Sequence, residues 1–178
     1  MGKSAVFKQA RQAVRSGQDR HQVFETYKDQ VSRPLQLAVA IAGVPDPERK
    51  ARFQAANIAL VILLLLAALG KLVTAFTMFQ GFGLLPVLGL ALLGVLLPTI
   101  CAIEVARFNG QIYALIPLFC LASLFQVLRH FSGDYLGLAV DLAFLAAILG
   151  LSLWIKIKVF PNLGLGGVKK DAQGRYLF

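Results

Sequence analysis

From Phe53 through Ile103 the only charged side chain is Lys71. A helix that is apolar all round has no face to offer water and must be enclosed by protein or by lipid. The apolar part of the chain divides into four such blocks, at 55–78, 84–105, 111–129 and 135–156. Each is near the ~20 residues that a helix needs to cross a bilayer. With 57% apolar and 15% charged residues in 178, too little polar surface remains to cover a soluble globule. The expected fold is an all-α integral membrane protein, a four-helix transmembrane bundle over 53–158. A cytoplasmic amphipathic helical region at 1–52 precedes it, and a short hairpin-like C-terminal tail at 159–178 follows. The first 50 residues hold no apolar h-region of a cleavable signal peptide behind their basic groups, so the first span is expected to serve as an uncleaved anchor.

Charge placement predicts the orientation. Ten basic residues precede the first span, from Lys3 to Arg52, and five lie at or beyond the end of the last, Lys156, Lys158, Lys169, Lys170 and Arg175. Arg107, between spans two and three, falls on the same side, whereas the opposite side carries only Arg129. This asymmetry predicts a multi-pass protein of a cytoplasmic (inner) membrane with both termini in the cytoplasm. It also accounts for the net charge of +9 without nucleic acid, and sets a basic face against anionic head groups.

The first 52 residues read as short amphipathic helices. Val6, Ala10, Ala13 and Val14 recur at helical spacing until Ser16-Gly17 stops them. Asp19 with Gln22 fits a capping box, and Val23, Phe24, Tyr27 and Val31 make one apolar face. Pro34 opens a third helix that ends at Gly43, and Asp46-Pro47 is an N-cap with proline in the first turn, leading into span one. Two short helices around Ser32-Arg33-Pro34 could be drawn as a helix-turn-helix. The reading helix would then be PLQLAVAIAG, which lacks the donors that base edges require, so no nucleic-acid partner is expected. The region reads instead as a platform that packs on itself, on the membrane surface or on a partner.

Lys71 lies roughly 10 Å inside the outer end of span one, and Asp141 roughly 9 Å inside the outer end of span four. In an up-and-down bundle these spans are antiparallel neighbours, so a Lys71–Asp141 intramembrane pair is available, with Gln126 on span three able to add a hydrogen bond. Pairing offsets part of the ~2.5–3.5 kcal/mol that insertion scales assign to a charge at a span centre. The pair is either part of an ion, proton or ligand site or a structural contact.

At the inner end, Glu104 and Arg107 are spaced for an ion pair on one helix face, near Lys156 and Lys158. Pro98 and Pro117 sit at matching depths and free the carbonyls of Gly94 and Tyr113. Aligned kinks can open an inner vestibule lined by Pro98, Thr99, Glu104, Arg107 and Pro117, or can serve packing alone. Span four carries Ala139, Ala143 and Ala147 at four-residue spacing, with Ala146 and Gly150 as a second small pair, a pattern that permits close helix packing within the bundle or between protomers. Phe79 and Tyr135 mark the outer interface, and Tyr113 and Trp154 the inner one.

The catalytic inventory is sparse. His21 and His130 fall on opposite sides of the membrane in this topology, and Cys101 and Cys120 lack CxxC spacing and read as buried small residues. No catalytic or metal-ligand set and no cofactor motif stands out, and GLGG at 164–167 reads as a hinge rather than a phosphate loop. GVKKDAQGRYLF reads as two extended segments around a turn at Asp171 to Gly174, expected to dock on the N-terminal helices or on a partner. The reading that follows is an interaction or accessory protein, anchored in the lipid bilayer and assembling with a protein partner or with itself. The competing reading is a small channel or transporter using Lys71 and Asp141.

Overall fold

The computed structural model of the chain describes the backbone of residues 3–82, 84–129, 133–164 and 167–178, and their side chains apart from 3–4 and 74–93. Of the residues singled out above, the Phe79 side chain, His130 and positions 165–166 lie outside the described residues.

The chain is mostly helical. Four short helices come first: α1 (Lys3–Arg15), α2 (Arg20–Tyr27), α3 (Pro34–Ala42) and α4 (Pro47–Arg52). Their limits follow from local chemistry. Gly17, with φ of +91°, ends the α1 turn in a conformation that costs glycine little. The Asp19 carboxylate accepts from Gln22 N at 2.9 Å at the start of α2, and Pro34 occupies the first turn of α3. Asp46 caps α4 through Glu48 N at 3.0 Å. Phe53, with φ of −102°, is a single non-helical residue between α4 and α5, bridged by Phe53 N donating to Arg49 O and Asn57 N to Phe53 O, both at 3.0 Å. The long helices follow: α5 (Gln54–Phe82), α6 (Leu84–Ala106), α7 (Gly110–Arg129) and α8 (Tyr135–Val159), the last capped by Asp134 through Gly137 N.

Among the described residues, three helices are long and apolar enough to cross a membrane: Gln54–Val73, Gly110–Arg129 and Tyr135–Val159. A shorter apolar stretch, Gly94–Ala106, belongs to α6. α5 packs along α6 and α7 along α8, and these two pairs meet through α5 with α8 and α6 with α7. Large apolar side chains cover their outside, among them Ile62, Leu69, Leu97, Leu118, Phe125 and Val140, each at least 41% exposed. An apolar surface of that extent is a liability in water and the normal exterior of a helix in lipid.

One apolar core joins the short helices to the near ends of the long ones. Val6, Ala10 and Val14 of α1 and Val23 and Phe24 of α2 pack with Leu37, Ala38 and Ile41 of α3. The same cluster continues through Leu60 and Leu64 of α5, Cys101 and Val105 of α6, Ile112 and Ile116 of α7, and Ile148 and Ile155 of α8. Among the described residues further along the long helices, Ala68 and Cys120 are still buried, and none between 121 and 147 is.

After α8 the chain forms a small antiparallel pair, β1 (Leu163–Gly164) with β2 (Gly167–Val168), in which Leu163 faces Val168. Gly164 and Gly167, expected in a hinge, are thus paired strand residues. The tail then turns at Asp171–Gly174, with Gly174 N on Asp171 O at 3.0 Å and Lys170 bridged antiparallel to Tyr176. It packs on α2: the Phe24 ring meets Tyr176 at 5.2 Å and Phe178 at 5.7 Å, and His21 meets Phe178 edge-on at 4.9 Å.

Candidate functional site

The most elaborated polar chemistry in the described structure lies where the short helices meet α5, α6 and α7. Val105 is in the last turn of α6, so its carbonyl has no partner further along the helix. Two donors reach it, Phe108 N at 2.8 Å and Asn57 Nδ2 at 2.9 Å, and the Tyr113 hydroxyl stands 3.2 Å away. Tyr113 donates to Asn57 Oδ1, its shorter contact, so its single proton belongs to that bond. Asn57 is 2% exposed and Tyr113 fully buried, which makes each of these bonds costly to lose.

The turn after Val105 is shaped around the same point. Phe108 takes a left-handed conformation with φ of +53°, unusual for a bulky residue, while its ring stays buried. Asn109 N donates to Glu104 O at 3.0 Å, closing the end of α6 in a Schellman-type turn. Glu104 carries the side-chain half of the clasp, accepting from Arg107 at 3.1 Å and from Asn109 Nδ2 at 2.7 Å.

Gly110, the first residue of α7, is the tightest junction. Its N–H donates to Gly43 O at the end of α3, at 3.3 Å. A Cβ placed there would stand 2.9 Å from both Leu163 and Phe160 and 3.0 Å from the Gly43 Cα. Platform, long helices and tail converge on a point that only glycine fits. Ring contacts widen the seam, Phe53 on Trp154 at 5.2 Å and Tyr113 on Phe160 at 5.5 Å. Arg20 of α2 reaches across to Val44 O at 2.9 Å. Burial lowers its guanidinium pKa from the ordinary value, while Asp46 opposes that shift and Arg49 adds to it.

The expected intramembrane residues stand elsewhere. Asn57 and Leu64 lie on the buried face of α5, and Lys71 comes seven residues further along the same row. Ile155 and Ile148 likewise form a buried row on α8 that Asp141 continues. Both charged residues are nevertheless exposed, as is Gln126. The ion pairs among the described residues are Glu25–Lys28, Glu104–Arg107 and Asp171–Arg175, and neither Lys71 nor Asp141 takes part in them. The Lys71 stem lies beside Gly94 of α6, where a Cβ would stand 3.5 Å from Lys71 Cβ. Gly94 is also the residue whose carbonyl Pro98 deprives of a helical donor.

Of the vestibule candidates, Pro98 and Pro117 sit inside α6 and α7 and are half-buried. The Thr99 hydroxyl donates back to Val95 O at 2.7 Å. Glu104 and Arg107 are engaged in the helix-end clasp, with Lys156 and Lys158 outside it. Ala139, Ala143, Ala147 and Gly150 are exposed, and among the described residues a Cβ on Gly150 would meet nothing within 4 Å. Cys101 and Cys120 are buried free thiols. Among the described residues no group of three or more His, Cys, Asp or Glu side chains is arranged to hold a metal ion.

Asn57, Gly43 and Gly110 were not foreseen as site residues. Asn57 left one signal, an amide at the head of the row that continues with Leu60 and Leu64. Gly43 and Gly110 left none, because a close approach between segments far apart in the chain has no local signature. In comparisons with known proteins, no family model, no curated protein and no solved structure matches this chain.

Proposed function

We propose that the chain is a multi-pass membrane interaction or accessory protein, whose four-helix transmembrane bundle anchors a cytoplasmic helical platform within a homo- or hetero-oligomeric complex of the inner membrane. In this arrangement α6 makes the fourth crossing, both termini are cytoplasmic, and the basic residues of the platform and tail face the head groups. The observation that carries the reading is the junction. Asn57, Val105 and Tyr113 tie the ends of α5, α6 and α7 together, and the Gly43–Gly110 contact, with Phe160 and Leu163 packed against it, seats the platform and tail on those ends. A partner bound to the platform is therefore held in fixed register with the spans. The exposed small-residue row of α8 supplies a face on which a second copy or a partner helix can approach closely.

A gentle extraction from the native membrane, followed by native mass determination and identification of what accompanies the protein, tests this. A stoichiometric partner lost on deleting residues 1–45 or 164–178, or a defined homo-oligomer, is expected. A lone monomer with no partner refutes it. A second reading, a small channel or transporter, draws on Lys71 and Asp141 extending the buried rows of α5 and α8 without entering an ion pair among the described residues. Loss of flux on Lys71→Ala or Asp141→Ala with assembly intact would favour it.

A further inference from the structure

A groove of about 490 Å³ runs between α1, α3, the start of α7 and the β1–β2 pair, a volume in the range of small-ligand sites. Its walls are mainly apolar, with Leu35 and Val39 of α3, Leu115 of α7 and Leu163 of β1. Leu35 and Leu115 are 43% and 42% exposed, so the apolar lining opens outward rather than into the core. Gln36, Gln111 and Arg11 supply its polar groups. At Arg11 it adjoins a second depression lined by Phe7, Lys8, Arg11, Gln12 and Arg15. Among the described residues no acidic side chain lines either one.

The basic end gathers three like charges on one helix. Lys8, Arg11 and Arg15 are spaced three and four apart on α1, a helix with no acidic residue at all. Like charges at that spacing repel one another. None of the three enters an ion pair among the described residues. A bound anion would relieve that repulsion, and Arg offers a planar fork suited to phosphate. At the other end, Leu115 lies five residues into α7, roughly 7.5 Å along its axis, on a helix apolar enough to cross a membrane. The groove therefore joins an unpaired cationic face to a lipid-facing apolar one.

We infer that this groove holds an anionic membrane phospholipid, its phosphodiester and head group against Arg11, Lys8 and Arg15 and an acyl chain across Leu35, Val39 and Leu115. The inference rests on the proposed placement of the α7 start at the cytoplasmic face. A lipid in this position would mortise the platform to the bilayer and make its docking sensitive to lipid composition.

The test is native mass spectrometry of the full chain in detergent, titrated with phosphatidylglycerol or phosphatidylcholine of the same acyl chains. One tightly held phosphatidylglycerol per chain is expected in preference to phosphatidylcholine. Arg11→Gln should weaken it roughly tenfold, as loss of a charge-assisted hydrogen bond implies. Lys8→Gln and Arg15→Gln, exposed and without packing to lose, should each weaken it less, while Lys169→Gln on the tail should leave it unchanged. Equal retention of the two lipids, or equal loss with Lys169→Gln and Arg11→Gln, would overturn the inference by reducing the effect to general surface charge. The measurement in detergent is independent of orientation and of any partner, so its failure leaves the accessory reading standing, and the reverse.

Discussion

Tyr113→Phe removes one oxygen from the junction and leaves the shape of the ring unchanged. The loss falls on Asn57, whose Oδ1 accepts from that hydroxyl and whose Nδ2 is already committed to Val105 O at 2.9 Å. With Asn57 only 2% exposed, water cannot replace the donor, and an unsatisfied buried acceptor costs ~1–3 kcal/mol. Hydrogen bonds between membrane helices average nearer ~0.6 kcal/mol, because the unfolded chain in the bilayer also finds partners. The bare acceptor is the larger of these effects here, so a destabilisation of about 2 kcal/mol is expected, close to a 30-fold shift in the folding equilibrium. Asn57→Leu should cost less, about 1 kcal/mol, since Tyr113 can turn to Val105 O, already at 3.2 Å. In the double variant no acceptor is stranded, and its cost should fall short of the sum by about 1 kcal/mol. Reversible unfolding in mixed micelles, followed by circular dichroism, measures all three. A Tyr113→Phe variant within about 0.3 kcal/mol of the parent, or strict additivity in the cycle, would show that the triad is not a coupled unit.

Gly110→Ala should destabilise by ~1–3 kcal/mol through overpacking, because the Gly43 backbone at 3.0 Å cannot swing aside as Leu163 and Phe160 can; thermal melts and proteolysis at the platform seam would register it. Phe178→Ala removes the ring that sits on Phe24 and His21, so cleavage of the tail by protease should accelerate while the helix content stays constant. Asp171 accepts first from the Arg175 backbone, and also from the Arg175 side chain and Gln173 N, which together hold its carboxyl below the ordinary pKa of ~3.9. A depressed acid stabilises the fold fully above its unfolded pKa and loses that contribution as the pH falls through the folded one. Amide exchange protection at Gln173 and Arg175 should therefore hold from neutrality down to about pH 4 and decline below it; protection unchanged at still lower pH would remove the carboxylate from the turn.

The helix limits were largely legible, since each has a cause within a few residues. Asp19, Pro34, Asp46 with Pro47, and the lengths of the apolar runs mark starts and stops without reference to the rest of the molecule. The turn at Asp171–Gly174 was legible for the same reason. Less so were the roles of polar residues within the helices. Lys71 drew attention as the single charge in its run, yet the buried polar hub formed around Asn57, an uncharged amide one turn into α5. Glu104 and Arg107 were rightly spaced for an ion pair, while the part of Asn109 in that clasp depends on the left-handed turn at Phe108.

What the sequence alone determined is therefore the one-dimensional part: where helices begin and end, and that several of them are too apolar for water. Hydropathy and capping act over one to twenty residues, and the order of the chain already contains them. Only the tertiary structure decided that burial ends short of Lys71 and Asp141, that Gly43 meets Gly110, and that a basic face of α1 borders an outward-opening apolar groove. Those outcomes depend on which surfaces meet, and contact between segments distant in the chain is set by packing in three dimensions rather than by any local pattern.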